Sequence, residues 1–563
     1  MLQPGPCPCP SRQGRLLFVL FFSLAGAAGL FFGLPNALLH LPPLALVYPF
    51  CLYILSGQAQ TGKQALLWGW FAALAANAAC LYWLVYPMHD VAGIPFALAL
   101  PTALLLHAYL ACYAALGVYG LWGLRRLLAP CAAKACARKK GRALAAALAP
   151  PLVGALAFGG LEAACGFLFS GFPWLALSTA LAFDPLWIQT ASVWGAYTLG
   201  ALLTATAFFA ANALQASQKI IRTASLCAAF GLPVCLAAIG FTQMQKSPPY
   251  ETPLSFIMVQ GNIDQNQKWL PQFQKSTLDH YLILSRKALL SARATGATPL
   301  PSLVIWPETA MPFYYPLHWE FAEEIRAFAQ EQGVSLAFGA LGVDTSGAAN
   351  QLRNRFFLLP PNKDMAGWYD KRHLVPFGEY LPFGSFLPYL QELLQGMDFV
   401  PGRSAGILSL PYQSASGLKK GDSLSLGVLI CYEAIFPELA AQTVDAGAQV
   451  LLNVSNDGWF RQSSAPYQHL AHAVLRAVEQ RRPLVRVTNT GISVVVDAKG
   501  RITHNIEGMF VSGVLQAQVT PGRGATLYNR LYPLPELALG IIALALVGAG
   551  CVASRHNARN GRR

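Results

Sequence analysis

Residues 424–433 read LSLGVLICYE, an apolar run from Leu424 to Ile430 that stops at Cys431-Tyr432-Glu433. An apolar run of about seven residues has the length of a strand, and this one delivers its last residue to a loop. Downstream, a helix runs to Ala446, Val450–Val454 is a strand, Tyr467–Gln480 is a helix, and Leu484–Thr488 and Ser493–Asp497 are strands. Asp497-Ala498-Lys499-Gly500 reads as a hairpin turn into Arg501–His504. Upstream, Leu254–Gln260 and Ser302–Trp306 are strands, the second ending in Pro307-Glu308, with an amphipathic helix over Thr277–Arg293 between them. A helix over Glu320–Gln332 keeps Phe321, Ile325 and Phe328 on one face, and Ser335–Gly339 is the next strand. Alternation of this kind specifies a layered α/β domain.

In such domains reactive side chains collect on the loops that follow strand ends. Glu308 and Cys431 sit at two such ends, and Lys371 follows a strand formed by Arg355–Leu359 or by Trp368-Tyr369. A thiol needs a base to become a nucleophile and donors to hold the oxyanion it creates. Glu308 is suited to take the proton of Cys431, and Lys371 with the backbone N–H of Tyr432 to hold the oxyanion. That requires a carboxylate desolvated enough for its pKa to approach working pH. Cys431 is the lone cysteine of residues 246–530, so it is either a packed small hydrophobe or a reactive thiol.

Only 12% of the 563 residues are charged and 54% are hydrophobic, against roughly 25% charged in soluble domains. The net charge of +14 would suggest nucleic acid in a soluble chain, but its distribution argues otherwise. Residues 1–245 hold 12 basic and three acidic residues (Asp90, Glu162, Asp184), residues 246–530 hold 24 and 22, and residues 531–563 hold four Arg against Glu536. The excess therefore lies in the apolar parts, which is a membrane pattern.

A bilayer core takes about 20 apolar residues in a helix. Such runs occur near 16–33, 37–55, 65–86, 98–123, 152–170, 187–214, 224–242 and 534–553, the second interrupted by Pro42, Pro43 and Pro49. Lys and Arg fill alternate connections: Arg12 and Arg15, then Lys63, then seven residues from Arg125 to Arg142, then Lys219 and Arg222, then the C-terminal end. The other connections carry none, so both termini are expected in the cytoplasm. The expected organisation is a membrane domain of seven helices over 1–245, an outer catalytic domain over 246–530, and an eighth helix with a basic tail over 531–563. Ala25-Gly26-Ala27 after Arg12 and Arg15 resembles a signal peptide, but six further spans favour an uncleaved helix. Glu162, inside a span, marks a function or a bond between helices.

Val304-Ile305-Trp306-Pro307-Glu308-Thr309, Tyr369 to Tyr380 and Ile430-Cys431-Tyr432-Glu433 resemble the Glu, Lys and Cys motifs of the nitrilase, or carbon-nitrogen hydrolase, superfamily. More specifically, Leu374 to Tyr380, Asn453 to Phe460 and Gln468-His469 resemble the apolipoprotein N-acyltransferase family. Gln260-Gly261-Asn262-Ile263, Lys268-Trp269, and Arg482 to Arg486 with Thr488 to Gly491 extend the likeness. It covers the whole chain, because that family also has eight spans with its catalytic domain between the seventh and eighth. It departs at Gly458, often Ala in the family, and at Arg461, often Gly.

The resemblance implies a multi-pass α-helical membrane protein of eight transmembrane helices carrying an α/β nitrilase-like αββα sandwich. It implies a bacterial inner-membrane enzyme with a periplasmic catalytic domain. Cys431 would attack an acyl ester of a phospholipid, forming a thioester and releasing a lysophospholipid. The α-amino group of the N-terminal diacylglyceryl-cysteine of an apolipoprotein would then take the chain. Glu308 would be the base in both steps, with Lys371 beside it; Glu379, Glu433 and Tyr432 would support the site, and Trp269 and Trp459 would bind substrate. The apolar stretch Pro382–Val400 is a candidate lid, and Phe172-Pro173-Trp174 a candidate lateral access. No cofactor, metal or nucleic-acid partner is expected, His469 and His472 lacking a carboxylate set, and a monomer is expected. Two other classes fit less well. A membrane-anchored nitrilase-type amidase would need neither eight spans nor an apolar lid, and a transporter with a dead outer domain would not keep the Glu-Lys-Cys set.

Overall fold

The computed structural model describes residues 12–134, 140–246, 252–297, 300–344, 351–362, 367–381, 399–411 and 423–560. Residues 254–519 are built on two sheets. The first contains β1 (Leu254–Gln260), β2 (Pro301–Ile305), β3 (Met311–Tyr314), β4 (Ser335–Asp344), β5 (Gln351–Leu359) and β6 (Gly367–Asp370). The second contains β7 (Ile407–Pro411), β8 (Ser423–Ile430), β9 (Val450–Ser455), β10 (Leu484–Thr488), β11 (Val494–Val496) and β12 (Ile502–Asn505). The last strand, β13 (Gly513–Val519), returns to the first sheet, whose order is β13-β1-β2-β4-β5-β6 with β3 on β4; the second runs β12-β11-β10-β9-β8-β7. Parallel pairs β1/β2, β2/β4, β8/β9 and β9/β10 form the centres, and antiparallel strands form the edges.

The centres are buried on both faces, which is why these strands read as continuous apolar runs. In β1, Phe256 and Met258 point between the sheets, against Val428, Ile430 and Val454. Ile257 and Val259 point outward to helices Pro271–Ala294 and Trp319–Gln332, through Leu278, Leu282, Ile325 and Phe328. The outer face of the second sheet carries helices Pro437–Asp445 and Ala465–Gln480, which pack in turn on Leu177, Ile188 and Ala196 of the membrane part. The layering is the expected αββα sandwich, seated on the membrane domain by its second-sheet side.

Among the described residues six helices are long and apolar enough to cross a membrane: Arg12–Gly33, Phe96–Lys134, Lys140–Cys165, Ala191–Gln215, Lys219–Gln245 and Leu534–Asn560. Gly62–Cys80 makes a seventh if it is counted with Tyr82–Val91, to which it connects through a 64° bend. In the expected second span Pro42–Leu46 forms a 3-10 turn and Val47–Gln58 an α-helix, so it is not counted among these helices.

The catalytic layer is pinned to this bundle by polar contacts. The indoles of Trp83 and Trp174 both donate to Gln468 Oε1, at 3.1 and 2.9 Å, and Gln468 Nε2 donates to the carbonyl of Cys80 at 3.2 Å. Trp174, expected at a lateral access, is therefore buried in this seam. Glu162 uses one carboxylate oxygen to accept from the backbone N–H of Leu177, at 3.2 Å.

Candidate active site

Cys431 ends β8 with a left-handed backbone, φ 50°, which costs a non-glycine residue of order 1–3 kcal/mol and marks an over-determined position. The chain turns at once into the 3-10 segment Cys431–Ile435, and buried Glu433 fixes that turn. Its Oε2 accepts from the N–H of Ile430 at 2.7 Å; its Oε1 accepts from the Tyr369 hydroxyl at 2.7 Å and from the N–H groups of Arg372 and His373 at 2.6 and 3.1 Å. One carboxylate thus ties the loop after β8 to the loop after β6, which carries Lys371. Glu433 spends its oxygens on these donors rather than on the thiol.

Glu308 follows β2 and is buried. Its Oε1 accepts from Asn354 Nδ2 at 2.8 Å and stands 3.4 Å from Lys371 Nζ, while its Oε2 accepts from the N–H of Asn456 at 3.0 Å. Lys371 Nζ also lies 2.9 Å from Glu379 Oε2, which accepts from the N–H of Val375. Asn354, on β5, gives its two amide hydrogens to Glu308 and Glu379, each at 2.8 Å. Burial alone would lower the pKa of Lys371, but the charges of Glu379 and Glu308 outweigh it and hold the ammonium above its ordinary range. Burial pushes the Cys431 thiol up, Glu308 adds to the rise, and Lys371 opposes it. The resting nucleophile is therefore a thiol whose proton has a carboxylate close by.

Beneath the nucleophile lies a second polar cluster, between the outer face of the second sheet and helix Ala465–Gln480. Arg486 donates to Asn453 Oδ1 and, at 2.8 Å, to Asp457 Oδ2; Asp457 Oδ1 accepts from the Ser455 hydroxyl at 2.8 Å. His469 Nε2 lies 2.9 Å from the carbonyl of Cys431 and Nδ1 lies 3.1 Å from Arg486 Nη2. Burial and the Arg486 charge lower the His469 pKa; the neutral ring with Nε2–H donates to Cys431 and accepts from Arg486. Burial raises the pKa of Asp457, but the Arg486 charge outweighs it and holds the carboxylate below its usual range.

The structure thus brings Glu308, Lys371, Glu379, Glu433 and Cys431 together. It places the other expected site residues less centrally. The Tyr432 hydroxyl donates to the carbonyl of Gly171 at 2.8 Å, in the seam with the membrane domain, leaving only its backbone near the thiol. Trp269 is half-exposed, with its ring 5.8 Å from Lys268 Nζ, and Trp459 is partly buried on the turn Asp457–Phe460. His472 bonds the carbonyl of Trp174. The lid stretch Pro382–Val400 lies outside the described residues except for Phe399 and Val400. Asn354, Ser455, Asp457 and Arg486 were given no role from sequence. The available signal was polar residues at alternate positions of a buried strand, Asn453 and Ser455 on β9.

Residues 28–209 match the apolipoprotein N-acyltransferase N-terminal domain, and residues 259–528 match the carbon-nitrogen hydrolase family. The chain is 34% identical over 494 residues to an apolipoprotein N-acyltransferase of Geobacter metallireducens, covering 87% of each chain. It is 32% identical over 525 residues to one of Rhodopseudomonas palustris, covering 90% of each. Among solved structures, Saccharomyces cerevisiae Nit3, a member of branch 10 of the nitrilase superfamily, aligns with 52% of this chain and 98% of its own, at 17% identity and a TM-score of 0.35.

Proposed function

The chain belongs to the apolipoprotein N-acyltransferase family, and from that premise we propose how its residues perform the reaction. An acyl chain passes from a phospholipid to Cys431 and then to the α-amino group of the N-terminal diacylglyceryl-cysteine of an apolipoprotein. Glu308 takes the thiol proton as sulfur attacks the ester carbonyl carbon. Lys371 and the N–H of Tyr432 hold the oxyanion, and the proton passes to the leaving glycerol oxygen of the lysophospholipid. In the second half the amine attacks the thioester, loses its proton to Glu308, and the thiol is restored. A thioester suits this order because it keeps the acyl group activated while one lipid leaves and another arrives.

Glu379 positions Lys371, and Glu433 positions the Cys431 turn against the Lys371 loop. Trp269 and Trp459 border the route of the substrate, and Tyr432 holds the nucleophile to the membrane domain. The observation that carries the reading is the Glu308, Lys371 and Cys431 set in a sandwich docked on a helix bundle through Trp83, Trp174 and Gln468. That seat favours lipid substrates over the small amide of a soluble-type amidase.

The alternation of basic connections supports an inner-membrane protein with both termini in the cytoplasm and residues 246–530 in the periplasm. Residues 1–245 form the membrane domain, and residues 531–563 the final helix and tail. A monomer is proposed. The test is a chase: acyl-enzyme formed from phospholipid is mixed with a diacylglyceryl peptide, and the chain is expected on the peptide amine. Discharge to water at one rate, with or without peptide, would replace the transferase by a hydrolase.

A further inference from the structure

Three buried polar side-chain atoms have no hydrogen-bond partner among the described residues: Lys268 Nζ, Gln265 Nε2 and Thr490 Oγ1. Their residues are 1%, 9% and 3% exposed. Gln265 and Lys268 stand three apart on the short helix Gln265–Lys268 and so share a face. Gln265 meets Thr490 around the bare Cα of Gly458, where a Cβ would come 3.3 Å from Thr490 Oγ1 and 3.9 Å from Gln265 Cβ.

The amide orientations follow from a relay. Asn489 Nδ2 donates to Asn456 Oδ1 at 3.2 Å, and Asn456 Nδ2 donates to Gln265 Oε1 at 2.7 Å, which leaves Gln265 Nε2 as the free end. The same Asn456 gives its backbone N–H to Glu308, so the cluster is built onto the catalytic base. Lys268 interacts electrostatically with Glu308, and burial brings its pKa down to about 8.

Buried donors left unmade are costly, an ammonium most of all. An ammonium, an amide N–H and a hydroxyl that can turn its proton outward together suit an anion with several oxygens. A phosphodiester is such a group, and in a phospholipid it is joined to the acyl ester through three glycerol carbons. We propose that Gln265, Lys268 and Thr490 form a subsite for the phosphodiester of the acyl donor, placing its ester between Glu308 and Cys431. This rests on the acyl-transfer reading above and adds the feature by which the donor is chosen. The subsite selects phospholipid over a neutral glyceride in the first half-reaction. It empties when the lysophospholipid carries its phosphate away, before the amine enters.

The test measures thioester formation by intact mass, with phospholipid or diacylglycerol in the same detergent micelles. In the full-length enzyme Lys268→Met is expected to lower the ratio of phospholipid to diacylglycerol rates by about 10- to 100-fold, the range of one charge-assisted hydrogen bond. The conservative Thr490→Val is expected to lower it a few-fold. A ratio unchanged in both variants overturns the subsite: with both rates reduced, Lys268 acts through Glu308, and with neither reduced, the three donors hold only water. Inorganic phosphate that slows the wild-type phospholipid reaction as strongly as Lys268→Met would give the site to free anions instead of a lipid headgroup. A wild type that forms no adduct from either donor would sink the acyl-transfer reading itself, a different result from an unchanged ratio.

Discussion

The two sheets contribute unlike halves to one site. The first sheet supplies a wall of charges, Glu308, Lys371 and Glu379, which face the reacting thiol and are linked through Asn354. The second supplies the nucleophile and a floor of Asn453, Ser455, Asp457, His469 and Arg486, which bond one another and the backbone of Cys431. The wall has charge to spend on proton transfer, whereas the floor has spent its charge on itself. A cut in the wall should therefore stop chemistry in a folded protein, and a cut in the floor should loosen the fold that holds the nucleophile.

The largest expected effect is on the wall. Glu308→Gln keeps the shape and the hydrogen bond from Asn354 but removes the base, so acylation of Cys431 should fall about 10²- to 10⁴-fold, followed by intact mass over time. A variant that also unfolds far more easily would erase the contrast. On the floor, Asp457→Asn leaves Arg486 buried without its counter-charge and should cost about 3–5 kcal/mol of stability, seen as a lower midpoint in thermal unfolding. If Asp457→Asn keeps its stability and loses only rate, the floor takes part in chemistry and the division fails.

Asn354→Leu is the intermediate case. It strips one donor from each wall carboxylate and should slow acylation by about 10- to 100-fold, the equivalent of about 1–3 kcal/mol; a rate within twofold of wild type would show that Lys371 alone orders the wall. Smallest is Arg461→Gly, just past the floor. Arg461 holds φ 52°, and its exposed guanidinium pairs at 2.8 Å with Oδ2 of the partly buried Asp90. Relief of the left-handed backbone offsets part of the loss of this half-exposed pair, worth about 1 kcal/mol, so the unfolding midpoint should move by only a few degrees.

The same contrast explains what the sequence disclosed. Glu308 and Cys431 were legible because each follows a short apolar strand, and strand ends deliver residues to loops; Lys371 follows the short, mixed strand Gly367–Asp370 and was legible through its motif. β8, β9 and β10 were legible because burial on both faces makes them apolar throughout. The floor was opaque: Asn453 and Ser455 interrupt an apolar strand, and their purpose depends on Arg486 and His469, more than a dozen residues away. β7 and β13 also escaped. Ile407–Pro411 is a short edge strand, and Gly513–Val519 alternates exposed and buried positions that match a strand only once β1 is beside it. The apolar run near 37–55, interrupted by Pro42, Pro43 and Pro49, folds as a 3-10 turn leading into the helix Val47–Gln58.

The central claim is that Cys431, held by the floor and served by the wall, carries the acyl chain. Purified protein is incubated with a phospholipid of defined chains and its intact mass is read, with the modified peptide mapped. The account predicts a gain of one acyl mass on the Cys431 peptide, removed by hydroxylamine and absent in Cys431→Ala. A gain that survives Cys431→Ala, or that maps to another residue, would contradict it.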